Sequence, residues 1–133
     1  MFNSTEILIL AGVCILTYGF LLGIPVAKAR DKASRAPRYL MAAHLAALVQ
    51  GGMLLALTIA FDFSTLASWV ETVAASLFVI GVILFDLGLT LNWLQNIDDA
   101  FKEKSLGYKV SSAGTPFILI AAGVILFGVL TSL

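Results

Sequence analysis

A single histidine, His44, lies within a long apolar stretch, and it is the residue of this sequence best suited to hold a metal or a cofactor. Neutral imidazole binds iron, copper and zinc, but one histidine with no carboxylate or thiolate nearby cannot complete a bare metal site. A porphyrin brings four nitrogen ligands of its own, so a single protein ligand is enough. If His44 is a ligand, haem is therefore the simplest cofactor to expect.

A haem held by one histidine favours Lewis-acid chemistry over electron transfer. A bis-histidine electron carrier needs a second histidine, and the chain has only one, so two subunits would have to share the haem. A five-coordinate ferric haem instead keeps an open position, where the iron can polarise an oxygen atom without changing its redox state. This chemistry suits the rearrangement of a small oxygen-containing substrate.

Amides and one carboxylate also lie in or next to apolar stretches, where polar side chains mostly face a bundle interior or a cavity. They are Gln50, Asp86, Asn92 and Asn96. Gly88, Asn92 and Asn96 recur every four residues, so they form one narrow helix face that either faces a ligand or hydrogen-bonds to a neighbouring helix. Asp86 is about 120° round the helix from Asn92 and should face elsewhere. There it is protonated, pairs with a neighbouring helix or subunit, or acts as an acid or base.

A ladder of small residues accompanies the histidine on its helix. Ala43, Ala47 and Gly51 recur every four residues, a spacing that lets another helix or a flat ligand approach the backbone closely. Both explanations fit the pattern. Gly19 and Gly23, in a GxxxG arrangement on the preceding apolar stretch, indicate helix packing.

The elements that carry these residues are predicted to be membrane-spanning helices. Hydrophobic residues make up 60% of the chain, and the mean hydropathy of +1.02 lies far above that of soluble proteins. Four continuously apolar runs are long enough to cross a bilayer, which favours helices over a β-barrel. They cover residues 7–27, 39–61, 67–94 and 116–133, with turn residues at 62–64 and 111–114. The sequence predicts an all-α integral membrane four-helix bundle, one domain over residues 1–133.

Charge predicts the orientation of this bundle and excludes one class of partner. Five of the eight basic residues lie between the first and second runs and three between the third and fourth, so both connections are expected in the cytoplasm. The formal net charge is zero, and nucleic-acid binding has no support. One cysteine, Cys14, builds neither an intrachain disulfide nor a thiolate metal site.

Two segments, APRYLMAAHLAALVQGGM at 36–53 and LGLTLNWLQN at 87–96, resemble the membrane-bound hydroxylaminobenzene mutase and styrene oxide isomerase family, and the mutase branch most. The segment GFLLGIP at 19–25 looks like the end of the family's first helix, whereas the fourth helix agrees only in being apolar. The matching positions are Pro37, Arg38, His44, Leu45, Leu48, Gln50, Gly51, Gly88, Asn92, Trp93 and Leu94.

The resemblance implies a small four-helix isomerase that works as a homotrimer in the inner membrane of a bacterium, with haem b between subunits. His44 would be the axial ligand of the ferric iron, and Ala47 and Gly51 would lie against the cofactor. The reaction would convert a small apolar aromatic epoxide to a carbonyl compound, or an arylhydroxylamine to an aminophenol. The membrane lipid would serve as the reservoir of such a substrate.

The same resemblance makes Gln50 and Asn92 the residues that orient the substrate. Gln50 stands where the family has asparagine, so its amide reaches from a shifted position. The family's helpful tyrosine and aspartate would fall near Asn96 and Gly88, and a small change of alignment would bring Asp86 into the acidic role. Asp86 and Asn96 are therefore further catalytic candidates.

Two other functions are compatible with the sequence. A small proton-coupled multidrug-type transporter would use Asp86 as its coupling carboxylate, and four helices in a chain of this length suit that class. A structural membrane subunit would use the polar residues only to join helices. Neither alternative requires a cofactor.

Overall fold

The computed structural model describes residues 2–133, and these residues form helices and turns but no strand. Their helices, in chain order, are α1 (Ser4–Lys32), α2 (Arg38–Asp62), α3 (Ser68–Leu94), the short α4 (Ala100–Glu103) and α5 (Leu106–Leu130). The four long helices are apolar and long enough to cross a membrane. The prediction of an all-α, multi-pass membrane bundle is thereby confirmed.

Helix α1 is longer at both ends than the predicted run 7–27. Asn3 forms a capping box with Glu6, in which its side-chain oxygen accepts from the Glu6 amide at 2.8 Å and its own amide donates to the Glu6 carboxylate at 3.0 Å. Arg30 and Lys32 occupy the last turn, where positive charge stabilises the negative end of the helix dipole. Polar residues therefore extend the helix beyond its apolar part.

The predicted start of the fourth span, residue 116, was wrong by ten residues. Helix α5 begins at Leu106 because Ser105 caps it, and residues 111–114 lie inside the helix instead of forming a turn. The Ser105 hydroxyl oxygen accepts from the Tyr108 amide at 3.1 Å. Serine and glycine suggested a turn, but in α5 they provide the small surface that contacts α3, which the apolar pattern alone does not reveal.

The bundle consists of two antiparallel hairpins, α1–α2 and α3–α5, which meet mainly through α1, α2 and α3. Small residues bring the helices of each hairpin close together. A Cβ atom on Gly19 would lie 2.9 Å from the Leu48 side chain, so the predicted role of Gly19 in helix packing is confirmed. In the other hairpin, Gly88 of α3 approaches the backbone of Gly107 of α5 even more closely.

The charges of the chain divide the bundle into two ends. All eight lysines and arginines belong to the end where α1 and α3 finish and α2 and α5 begin, which we call the basic end. The opposite end, called the acidic end, carries Glu6, Asp62 and Glu71. This asymmetry is the basis of the predicted orientation, with the basic end in the cytoplasm.

Two hydrophobic clusters fill the interior, one toward each end. Leu8, Leu54, Phe61, Ala74, Ala75, Phe78, Val82, Ala121 and Ile125 form the acidic-end cluster. Leu22, Val26, Leu40 and Ala43 form the basic-end cluster. Each cluster joins α1 to α2, and the acidic-end cluster also includes α3 and α5.

Polar side chains interrupt the interior between these clusters. On α3, Asp86 comes after Val82 of the acidic-end cluster and before Leu89, which packs on the basic-end cluster. Gln50 on α2 lies in sequence between Ala43 and Leu54, which belong to the two clusters, and Tyr18 on α1 packs against the basic-end cluster. We call Tyr18, Gln50 and Asp86 the polar layer.

Candidate functional site

The imidazole of His44 is held by a hydrogen bond to the neighbouring helix. Its Nδ1 atom lies 2.8 Å from the carbonyl oxygen of Gly19 on α1. A carbonyl oxygen only accepts, so Nδ1 carries the proton and donates it. In the neutral ring, Nε2 therefore keeps its lone pair.

A glycine of α1 makes room for this ring. A Cβ atom on Gly23 would lie 3.3 Å from Cε1 of His44, so the imidazole rests against a stretch of helix without a side chain. Gly19 thus orients the ring through its carbonyl group, while Gly23 provides the space. The GxxxG pair predicted to pack helices also forms the seat of the histidine.

The other ring nitrogen of His44 is reachable from outside the bundle. Nε2 has no hydrogen-bond partner among residues 2–133, and it is not one of the buried atoms that lack a partner. Leu45 on α2, and Phe20 and Ile24 on α1, are exposed apolar residues that follow the seat residues directly in sequence.

The small-residue ladder beside His44 is covered by α1. Ala43 and Ala47 are fully buried, and a Cβ atom on Gly51 would lie 2.8 Å from the backbone nitrogen of Leu16. A flat cofactor could not lie against Ala47 or Gly51 without displacing α1. In the single chain these residues serve helix packing, the first of the two explanations that the sequence left open.

Asn92 is engaged in joining α3 to α5. Its side chain is 2% exposed, and its Oδ1 atom accepts from the Ser105 hydroxyl at 2.6 Å. Asn92 therefore fixes the residue that caps α5. This is the cross-helix hydrogen bonding that the sequence offered as an alternative to ligand binding, although the amide N–H groups of Asn92 make no such bond.

Asn96 lies beyond the end of α3 and is exposed. Its backbone has a φ of 52°, a left-handed conformation that asparagine adopts more readily than most residues. Together with Asn92, Arg38 and Trp93 it lines a cavity of about 190 Å³ at the basic end. The two predicted catalytic asparagines thus share one cavity.

Asp86 faces a different part of the molecule from Asn92, as the helix geometry predicted. It lines a cleft of about 120 Å³ between α1 and α3, together with Ile15, Tyr18, Ile83 and Leu87. Asp86 is 2% exposed, and neither of its carboxylate oxygens has a hydrogen-bond partner.

Gln50 also carries a buried oxygen, Oε1, without a partner. In its helix Gln50 is about 120° round from His44, so the two side chains point in different directions. The predicted site residues therefore fall into three places within one chain: the histidine seat, the polar layer and the basic-end cavity. Within residues 2–133, the side-chain hydrogen bond of His44 goes to Gly19 and not to any of the predicted catalytic residues.

Two groups of residues received no site role from the sequence. Tyr18 shares a short hydrogen bond with the Thr90 hydroxyl, which links α1 to α3 beside Asp86. Arg30, Arg35 and Arg38 line a cavity of about 530 Å³ next to the ends of α1 and α2, the two helices that hold the histidine. In the sequence, the positive charge of these arginines indicated only the orientation of the protein in the membrane. The cavity that they share could not be predicted, because it depends on how the connection between α1 and α2 folds.

The donor set suits a cofactor that brings most of its own ligands. Residues 2–133 contain no group of three His, Cys, Asp or Glu side chains that could hold a metal ion. One oriented imidazole with a free lone pair matches the requirement of a haem, whose macrocycle supplies four nitrogens. The nearby arginines would suit the carboxylate groups of such a cofactor.

Comparisons of the chain with protein-family models, with curated proteins and with solved structures found no match. The resemblance described from the sequence therefore rests on the residues that carry it.

Proposed function

We propose that this membrane protein binds ferric haem b through His44 and acts as a non-redox isomerase of small apolar aromatic compounds. The substrate would be an epoxide, converted to a carbonyl compound, or an arylhydroxylamine, converted to an aminophenol. The observation that carries the proposal is the hydrogen bond from Nδ1 of His44 to the Gly19 carbonyl oxygen. The family resemblance supplies the reaction class.

This hydrogen bond is what a histidine needs in order to bind iron. A metal-binding histidine generally donates its second ring N–H to a carbonyl or carboxylate group, which fixes the tautomer and orients the ring. In this chain the Gly19 carbonyl provides that acceptor, and Gly23 leaves space for the ring. The seat is formed by residues of α1 and α2 alone.

The arginine cavity supports the same cofactor. Haem b carries two carboxylates, and exposed arginines at the end of the bundle can pair with them. Arg30, Arg35 and Arg38 are free of ion pairs in the described part of the chain, where the one ion pair joins Lys102 to Asp99. Their guanidinium groups can therefore bind carboxylates from outside.

Bound at His44, ferric haem would supply a Lewis acid with one open position, the chemistry that epoxide and hydroxylamine rearrangements need. The chain itself would position the substrate. Asn92 retains amide N–H groups and Asn96 is exposed in the same cavity, so either can donate to a substrate oxygen. His44 shares no hydrogen bond with these amides within residues 2–133, and in our proposal a second subunit brings such groups to the haem.

A homotrimer, the assembly implied by the resemblance, would satisfy this requirement. The exposed apolar residues around the histidine seat would then be covered by the neighbouring copy and by the macrocycle. Small aromatic substrates partition into lipid and would reach such an interface laterally.

The decisive experiment is an absorption spectrum of the protein purified from cells supplied with haem. We expect a Soret band that disappears in His44→Ala and returns when free imidazole is added to His44→Gly. Cys14→Ala is the matched control, because Cys14 is exposed and plays no part in the seat. A wild-type protein without the band, or a His44→Ala variant that keeps it, would overturn the cofactor assignment.

A second measurement separates the reaction from the cofactor. Purified haem-loaded protein is incubated with styrene oxide or phenylhydroxylamine, and the products are analysed without any added oxidant or reductant. We expect phenylacetaldehyde or an aminophenol, with no product from His44→Ala. Haem binding without conversion of either compound would contradict the isomerase assignment while leaving the histidine site intact.

A further inference from the structure

The cleft between α1 and α3 contains a carboxyl group that the isomerase proposal does not use. Both oxygens of Asp86 are buried and without a partner, although most buried polar atoms in folded proteins have one. No lysine, arginine or histidine pairs with Asp86, since the one ion pair within residues 2–133 lies at the basic end. Within residues 2–133 the carboxyl group is therefore left without a cation or a hydrogen-bond donor.

The missing partner must donate hydrogen bonds. The buried side-chain atoms that lack a partner in the described chain are the Asp86 oxygens and the Oε1 atom of Gln50, and all of them are acceptors. An ionised carboxylate in an apolar surrounding is costly unless a cation pairs with it. A group that combines positive charge with N–H donors meets both requirements.

The walls of the cleft select an apolar ligand. Ile15, Ile83 and Leu87 are aliphatic, and Tyr18 adds an aromatic ring that attracts cations through its face. Water is a poor occupant, because a stable buried water needs two to four polar partners. Since the Tyr18 hydroxyl already bonds to Thr90, the unpartnered polar atoms among the residues that line the cleft are the Asp86 oxygens, which lie buried beneath its apolar surface and become reachable only when the wall moves slightly.

The cleft opens toward the outside of the bundle, where a membrane protein meets lipid. Ile83 is 40% exposed and Leu87 is 48% exposed, so these two residues form its rim. The volume of about 120 Å³ is somewhat smaller than the closed cavity of about 150 Å³ that holds benzene in another protein. An ammonium group with one or two methylenes therefore fits inside, while an attached ring extends into the hydrocarbon.

We propose that the α1–α3 cleft binds small lipophilic primary ammonium ions, which reach Asp86 laterally from the bilayer. The ammonium group donates to the Asp86 oxygens, and Tyr18 contacts its positive charge. This site lies apart from the histidine seat, and its occupation requires neither haem nor isomerase activity. Binding at Asp86 is also the first requirement of the transporter alternative, although binding alone moves nothing across a membrane.

The test is a titration of the purified protein in lipid nanodiscs with 4-fluorophenethylamine, followed by fluorine NMR against empty nanodiscs. We expect saturable binding that weakens at least tenfold in Asp86→Asn, which keeps the shape of the side chain but not its charge. Glu71→Gln is the matched control, because it removes an acidic group from the other end of the same helix and should leave the affinity unchanged. Equal binding by wild type and Asp86→Asn would overturn the proposal.

Two ligand analogues and one labelling experiment complete the test. The neutral 4-fluorophenethyl alcohol and the trimethylammonium analogue, which lacks N–H groups, should both bind at least tenfold more weakly than the primary amine. Equal affinity of either analogue contradicts the requirement for a cation that donates hydrogen bonds.

If Asp86→Asn does not fold, wild-type protein is labelled with a lipophilic carbodiimide instead. The amine should protect Asp86 from this reagent. Labelling of Asp86 that a saturating amount of the amine leaves unchanged refutes the proposal.

Discussion

The two hairpins of this protein use the same kind of sequence pattern for different purposes. Both contain a ladder of small residues with a polar side chain, His44 beside Ala47 in α1–α2 and Asn92 after Gly88 in α3–α5. In α3–α5 the Asn92 oxygen is taken by Ser105 within the chain. In α1–α2 only one nitrogen of His44 is taken, and the other is reachable. Both residues keep a nitrogen without a partner within residues 2–133, but the amide nitrogen of Asn92 can only donate, whereas the free nitrogen of His44 has a lone pair that can bind a metal.

The largest effect is expected where the packing ladder is tightest. Gly88→Ala would push a Cβ atom into the backbone of Gly107 and destabilise the protein by about 1–3 kcal/mol, the usual cost of overpacking. Gly123→Ala is the control, because its new methyl group meets nothing within 4 Å. Thermal unfolding in detergent, followed by circular dichroism, measures both variants. Equal melting temperatures of the two variants would show that α3 and α5 can move apart without loss of stability.

The next effect concerns the hydrogen bond that Asn92 makes across the same hairpin. Asn92→Ala leaves the buried Ser105 hydroxyl without its acceptor and should cost about 1–3 kcal/mol of stability. In the background of Ser105→Ala the same substitution should cost clearly less, because the bond is already absent. A double-mutant cycle of unfolding free energies measures this coupling. Additive losses would mean that Asn92 does not act through Ser105.

The corresponding change in the other hairpin should affect ligand binding more than folding. Gly23→Ala places a methyl group 3.3 Å from Cε1 of His44 and displaces the ring, so we expect about tenfold weaker haem affinity, equivalent to about 1.4 kcal/mol. Stability should change by less than about 1 kcal/mol, since a flexible ring can move. Haem titration followed at the Soret band measures the affinity. Gly52→Ala, which has open space around it, should leave that affinity unchanged.

The smallest effect is expected at the arginine cavity. Arg35→Gln should weaken haem binding about threefold at low salt and hardly at all at high salt, because the Debye length falls to about 3 Å at 1 M. The same titration at two salt concentrations provides the measurement. Lys104→Gln serves as control, since it removes a charge from the other connection of the basic end. A loss that persists at high salt would contradict a screened, exposed contact.

The sequence predicted the membrane spans well because hydropathy acts locally along the chain. It failed at the start of α5, where Ser111 and Gly114 lie inside a helix because α3 packs against them. Such packing depends on a partner helix distant in sequence, and no local pattern contains it. The position of Ser105, which caps α5, depends in the same way on a distant residue, because its hydroxyl donates to Asn92 on α3.

The polar residues were likewise recognisable from the sequence, but their state of pairing was not. His44, Gln50, Asp86 and Asn92 all appear as polar interruptions of apolar helices. Whether each is satisfied depends on distant residues, such as the Gly19 carbonyl for His44, 25 positions away. The three-dimensional arrangement therefore separates a joining residue from a binding residue where composition treats them alike.

The concentration of every lysine and arginine at one end of the bundle has a practical consequence for studying the protein in vesicles. Trypsin cleaves only after these two residues, so it can cut this chain from one face of the membrane and never from the other. Sealed vesicles of a single orientation should show either complete resistance or fragmentation at the two basic connections. Because trypsin cannot cross lipid, the result would show on which side of the membrane α2, the helix that carries His44, begins.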